Sequence, residues 1–202
     1  MIDPETADLA QVEACISTDL GDLVVAFRPD KAPAHVANFV RLAASGFFDG
    51  LAFHRVVRNF VVQAGCPNSR EGSTGIPGTG GPGWKVHAEF NDLPHQRGAL
   101  SMARGQDPNS AGSQFFLVQA ESLPSLDGRY TVFGQLRDGF EVLDAIAAVE
   151  CTIGPGGERS VPKDRLAIRS VTLREAQPLP VEAAEAAQAT PTSEEDSDQE
   201  HS

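Results

Sequence analysis

A chain of 202 residues, 41% hydrophobic and 22% charged, is long enough for one domain with a buried core. Its formal net charge of −12 sets it apart from proteins that grip nucleic acid or anionic membranes, which need clustered cations. Seven of the negative charges, Glu182, Glu185, Glu194, Glu195, Asp196, Asp198 and Glu200, lie beyond Ala176 with no Lys or Arg among them. Setting those seven aside from −12 leaves −5, a mildly acidic body with an acidic tail. Cys15, Cys66 and Cys151 are odd in number and widely spaced, without a Cys-x-x-Cys pair. They read as reduced, partly buried thiols, so neither a disulfide framework nor a metal site is expected. The first residues lack the basic region and apolar run of a secretory signal, and nothing approaches ~18 consecutive apolar residues. A cytoplasmic location is the expectation.

In chain order, residues 1–10 form a lead-in, and Gln11 to Thr18 and Leu23 to Arg28 read as strands turned at Asp19-Leu20-Gly21-Asp22. Pro33 suits the first turn of a helix whose inward face is Val36, Phe39, Val40 and Ala43, and Gly46 ends it. Further strands are expected at Ala52 to Val57, Phe60 to Ala64, Gly98 to Met102, Phe115 to Gln119, Thr131 to Leu136 and Arg165 to Leu173, with a second helix from Gly139 to Val149. Eight short strands, two helices and Gly-rich connections favour a mainly β fold, a closed eight-stranded antiparallel barrel capped by two α-helices, because closure removes exposed edges. The domain is expected over 11–175. From residue 176 the sequence has almost no large apolar side chains to bury, and it reads as a disordered tail.

Between Phe53 and Gly65 an apolar strand pattern contains an Arg and a Gln. Period-2 alternation puts Val56, Phe60 and Val62 in one phase and Arg55 and Gln63 in the other, with Phe53, Val57 and Val61, and the turn-like Arg58-Asn59 pair falls between the two arms. A cation and an amide among apolar neighbours suit a ligand with a carbonyl and a hydrocarbon ring. His54, in the opposite phase to Arg55, reads as structural, and His87 and His95 read as solvent-facing. Gly78-Thr79-Gly80-Gly81-Pro82-Gly83 fits the spacing of a dinucleotide-binding loop, but it follows another Gly-rich segment rather than a strand, and Pro82-Gly83 obstruct the helix such a loop must open. Residues 68–83 read instead as a surface loop anchored by Trp84.

Phe53-His54-Arg55-Val56-Val57 with Phe60 and Gln63, then Leu100-Ser101-Met102-Ala103, Gly112-Ser113-Gln114-Phe115-Phe116, Leu126-Asp127-Gly128 and Val132-Phe133-Gly134 follow one another in an order and spacing that resemble the cyclophilin family of peptidyl-prolyl cis-trans isomerases. The resemblance runs from about Val12 to about Leu173. It implies an eight-stranded barrel with a helix at each end and rotation about X-Pro bonds without a cofactor, acting on proline-containing peptides and folding protein clients. By position in the family motif it implies that Arg55 meets the proline nitrogen, that Phe60, Val61, Phe116 and Leu126 wall the ring, and that Tyr130 lines the edge. Gln63 is expected to bond the substrate backbone and orient Arg55, with Ala103, Arg104 and Gln114 meeting the flanking peptide. Ser125 stands where cyclosporin-sensitive members carry tryptophan and Tyr130 where they carry histidine, so cyclosporin is expected to bind weakly. Arg104 and Gly105 replace the usual Asn and Ala, and Val61 the usual Met, which bears on substrate preference more than on activity. A monomer is the default for a small barrel, and a non-catalytic proline-peptide binder is the competing reading. Such a binder has no use for a cation at the proline nitrogen.

Overall fold

The computed structural model describes residues 2–4, 6–154 and 156–177. The acidic tail beyond Gln177 lies outside them. β1 (Val12–Thr18) and β2 (Gly21–Phe27) form the expected hairpin, in which Thr18 Oγ1 donates to Gly21 O at 2.7 Å and accepts the Leu20 N–H at 3.1 Å. α1 (Pro33–Ala44) has its proline in the first turn, as read, but Ala32 before it offers no capping side chain. The Glu89 carboxylate supplies the cap from a distant loop, accepting the Ala34 and His35 N–H groups at 3.0 and 2.9 Å. Those donors have no partner within the helix.

The remaining elements are β3 (Arg55–Val56), β4 (Val61–Ala64), β5 (Ala99–Met102), β6 (Phe115–Val118), β7 (Val132–Asp138), α2 (Phe140–Ala147), β8 (Cys151–Ile153), β9 (Arg159–Pro162) and β10 (Ile168–Glu175). Six of them join β1 and β2 in one antiparallel sheet of eight strands, in the order β10-β1-β2-β7-β5-β6-β4-β3. The fold is mainly β with two helices, as expected, and the sheet curls until its edge strands approach. A full closing ladder does not form. The edges meet through an isolated bridge between Ala52 and Ala167 and three backbone bonds, Gly50 N–H to Ile168 O at 2.8 Å, Ile168 N–H to Leu51 O at 2.7 Å and Phe53 N–H to Leu166 O at 3.0 Å. The expected strand from Ala52 shrinks to Arg55–Val56 because its first residues serve this seam. The β8–β9 hairpin, a separate two-stranded sheet, lies beyond the eight strands expected and packs against β3.

Alternation sorts the central strands into two rows. Val56, Val62, Leu117 and Leu100 are successive cross-strand partners that enter the main core, where Phe39 of α1 packs against Phe27, Phe48, Phe115 and Phe133 with ring centroids 4.8–5.7 Å apart. Arg55, Gln63, Phe116 and Ser101 are partners in the next row and belong to the opposite face. Glu13, buried in β1, is held between Arg137 Nη1 at 2.6 Å and Arg174 Nε at 2.7 Å. At the end of β4, Gly65 has φ of +86°, and a Cβ there would lie 2.2 Å from the Ser113 carbonyl oxygen. Gly65→Ala combines left-handed backbone strain with a backbone clash and should cost about 2–4 kcal/mol of stability. Urea denaturation of the two proteins checks this, and an unchanged midpoint would contradict the close approach.

Candidate active site

On the outward face of β4 and β6, Val61 and Phe116 are buried in a second apolar cluster, separate from the main core, against which the partly exposed Phe60, Leu126 and Tyr130 pack. Phe115, one residue earlier than Phe116, points into the main core, as strand alternation requires. Phe60 and Phe53 depart from the uniform period-2 reading: Phe60 joins the Val61 cluster, and Phe53 enters the main core. For Phe53 the alternation fails because it lies outside β3, bonding Leu166 O at the seam, and for Phe60 the cause is the turn at Arg58-Asn59, where Asn59 takes φ of +58° and its N–H is held by Gln119 Oε1 at 2.7 Å. That turn resets the phase before β4 begins.

Arg55 lies directly opposite Gln63 in the register, so the two share one face as expected. The Arg55 guanidinium carbon sits 5.5 Å from the centre of the Phe60 ring, within cation–π range. Gln63 does not orient it. The Gln63 amide donates to Gln114 Oε1 at 3.0 Å, and the Arg55 guanidinium is bonded instead by Glu158, Nε to Oε2 at 2.8 Å and Nη2 to Oε1 at 2.9 Å. The Arg55 guanidinium in turn holds the Glu158 carboxyl below its ordinary range. Gln114 is also committed within the protein: its amide donates to the carbonyls of Gly78 and Gly80, both at 2.9 Å, and so pins the Gly-rich loop. Residues 70–83 contain no helix, and the loop is anchored by Trp84 Nε1, which donates to Asn38 Oδ1 at 2.8 Å.

Arg104 stacks 4.7 Å from the centre of the Tyr130 ring and donates through Nε and Nη2 to the Arg129 carbonyl at 3.0 and 2.8 Å. Together with Ala103, Gln63, Gln114 and Lys85 it lines an open cavity of about 580 Å³ whose rim carries two cations and no carboxylate. A second cavity of about 750 Å³ is lined by Arg55, Gln63 and Glu158 among others. Both hollows therefore adjoin the apolar cluster rather than coincide with it.

His95, read from the sequence as solvent-facing, is 1% exposed. Its Nδ1 bonds Asp127 Oδ1 at 2.8 Å and its Nε2 meets Ser101 Oγ at 2.9 Å, while its ring stacks on Phe116 at 6.0 Å. Ser101 donates onward to the Thr131 carbonyl at 3.0 Å, so this chain of bonds fixes the floor under Phe116. His87 is exposed as read, and His54 is half-buried beside Gln63. The signal missed for His95 lay in its partners, which are six and thirty-two residues away. For Glu158 the available signal was the turn sequence Gly154-Pro155-Gly156-Gly157 between two short segments of strand character. Among the described residues no group of three or more His, Cys, Asp or Glu side chains is placed to hold a metal ion, and no helix is long and apolar enough to cross a membrane.

A guanidinium held beside an aromatic cluster, on the outside of a curled antiparallel sheet, suits a ligand that carries an apolar ring next to an amide. Residues 14–173 match the family described as cyclophilin type peptidyl-prolyl cis-trans isomerase/CLD. A peptidyl-prolyl cis-trans isomerase of Synechococcus elongatus is 47% identical over 126 residues, covering 62% of this chain and 81% of that protein. Peptidyl-prolyl cis-trans isomerase B of Bacillus subtilis is 49% identical over 116 residues, covering 56% and 74%. The crystal structure of a Cryptosporidium parvum cyclophilin type isomerase in the presence of the dipeptide Ala-Pro superposes with a TM-score of 0.70 at 32% identity, covering 81% of this chain and 99% of that one. The chain belongs to the cyclophilin-type peptidyl-prolyl cis-trans isomerase family, and its reaction is rotation about X-Pro peptide bonds.

Burial pushes His35, His54 and His95 below the ordinary imidazole value of 6.5, against the pull of Glu89 on His35 and of Asp127 on His95. The unfolded chain binds protons at these histidines more readily than the folded one, so stability present above pH 6.5 is lost as pH falls through that value toward each depressed folded value. Urea midpoints should be flat between about pH 8 and 7 and should decline from about pH 6.5 to 5. A midpoint that rises across that lower window would contradict the assignment.

Proposed function

We propose that Arg55 carries the isomerase chemistry, with Phe60, Val61, Phe116, Leu126 and Tyr130 receiving the proline ring. Twisting an X-Pro amide breaks resonance against a barrier of ~18–20 kcal/mol and leaves a lone pair on the proline nitrogen. A permanently cationic donor beside the ring stabilises that lone pair and not the planar amide, which is the differential interaction a catalyst needs. Four or five decades of rate require about 6 kcal/mol, within the range of positioning and electrostatics, so no protein atom has to bond to substrate. The observation that carries this reading is the Arg55 guanidinium held over the Phe60 ring in the same cross-strand row as Gln63 and Phe116. Burial keeps His54 and His95 toward the neutral form, and the reaction gives an acid or base nothing to do.

The clients in this reading are unfolded or folding chains with accessible X-Pro bonds, served by a cytoplasmic monomer. The rim of Lys85 and Arg104 favours acidic residues beside the proline over basic ones. Ser125, exposed on the 3-10 turn Pro124–Leu126, offers no indole to cyclosporin, in keeping with weak binding of that drug.

The test is two-dimensional NMR exchange on an Ala-Pro-Phe peptide. The wild type should drive cis–trans exchange, and Arg55→Ala should slow it by about 10²–10³-fold, the usual loss when one donor to developing charge is removed. Under the same conditions a Glu-flanked peptide should turn over about two- to fivefold faster than a Lys-flanked one, the range of an exposed charge interaction. Bound peptide without exchange in the wild type would move the reading to a non-catalytic binding module.

A further inference from the structure

Glu158 belongs to none of the segments that carry the family resemblance. It stands at the base of the turn between β8 and β9, 103 residues along the chain from Arg55. The contact is fork to fork: both carboxylate oxygens accept, one from Nε and one from Nη2, at 2.8 and 2.9 Å. Two parallel charge-assisted bonds fix the plane of a guanidinium as well as its position. Side-chain exposures of 32% for Arg55 and 45% for Glu158 place the pair in the range where ion pairs add little to stability. Its effect is therefore on orientation. Phe60 supplies the remaining constraint, lying against the guanidinium carbon at 5.5 Å. With Nε and Nη2 engaged, Nη1 has no hydrogen-bond acceptor among the described residues.

We propose that Glu158 is a positioning residue for the isomerase reaction: its carboxylate holds the Arg55 guanidinium in one plane and leaves Nη1 as the donor offered to the twisting amide. The inference rests on the role given above to Arg55. It replaces the expected Gln63 contact with one from the β8–β9 hairpin, so the hairpin becomes part of the catalytic apparatus although it lies outside the main sheet. An arginine on a short edge strand would otherwise sample many rotamers, and each must be excluded before the charge can meet the nitrogen.

The test is a double-mutant cycle read by peptide exchange, with thermal melting as a check on folding. Glu158→Gln, which keeps shape and loses charge, should lower kcat by about tenfold and leave peptide affinity within about twofold. Glu158→Asp, one methylene short, should fall between the two. In the Arg55→Ala background, at enzyme concentrations raised to bring exchange into range, Glu158→Gln should change nothing. An independent readout uses the unmutated protein: the Arg55 Nε–H proton should exchange with water more slowly at neutral pH than that of the exposed Arg58. Wild-type turnover in Glu158→Gln, an equal loss in both backgrounds, or an Arg55 Nε–H that exchanges as fast as that of Arg58 would overturn the proposal. Wild-type exchange in Arg55→Ala itself would instead defeat the role of Arg55, so the two failures are distinguishable.

Discussion

Val61 and Gln63 of β4 look outward while Val62 and Ala64 look into the core, and this alternation is passed strand to strand through the register Arg55–Gln63–Phe116–Ser101 on one face and Val56–Val62–Leu117–Leu100 on the other. A slip of one residue would exchange the two rows, driving a guanidinium and an amide into the main core and moving four apolar side chains out of it. The same hydrophobic burial that selects the fold therefore selects which side chains form the site. Gly65 protects this register where β4 approaches Ser113, since any side chain there meets a carbonyl.

Support for the outward row comes from polar groups recruited at long range. The bond chain from Asp127 through His95 and Ser101 to the Thr131 carbonyl lies under Phe116, and Gln114 ties Gln63 to the Gly-rich loop. These bonds satisfy buried or half-buried polar atoms and leave the aromatic floor with little freedom. A reaction that needs a positioned charge and an apolar wall, and no proton transfer, suits a site built in this way.

The sequence made much of this legible where the physics is local. Period-2 patterning located the strands, Pro33 and Gly46 marked the first helix, and adjacent Phe115 and Phe116 had to face opposite sides. It failed where structure depends on contacts remote in the chain. The turn at Arg58-Asn59 shifted the phase between two arms that alternation had read in step, sending Phe60 to the site cluster. His95 and Glu13 are buried polar residues whose partners lie far along the sequence, so alternation alone could not say that they were inside. Glu158 entered through a hairpin too short for periodicity to register, and barrel closure became a seam because residues 50–53 give their backbone bonds to residues 166–168 rather than lengthening β3.

The location of the proline ring is the claim on which the chemistry turns, and a crystal structure of the protein with a short Ala-Pro peptide measures it directly. The ring should lie against Phe60, Phe116 and Leu126, with an Arg55 nitrogen within hydrogen-bond distance of the X-Pro amide. A ring seated in the cavity beside Lys163 and Arg165, or a guanidinium turned away from the amide, would contradict it.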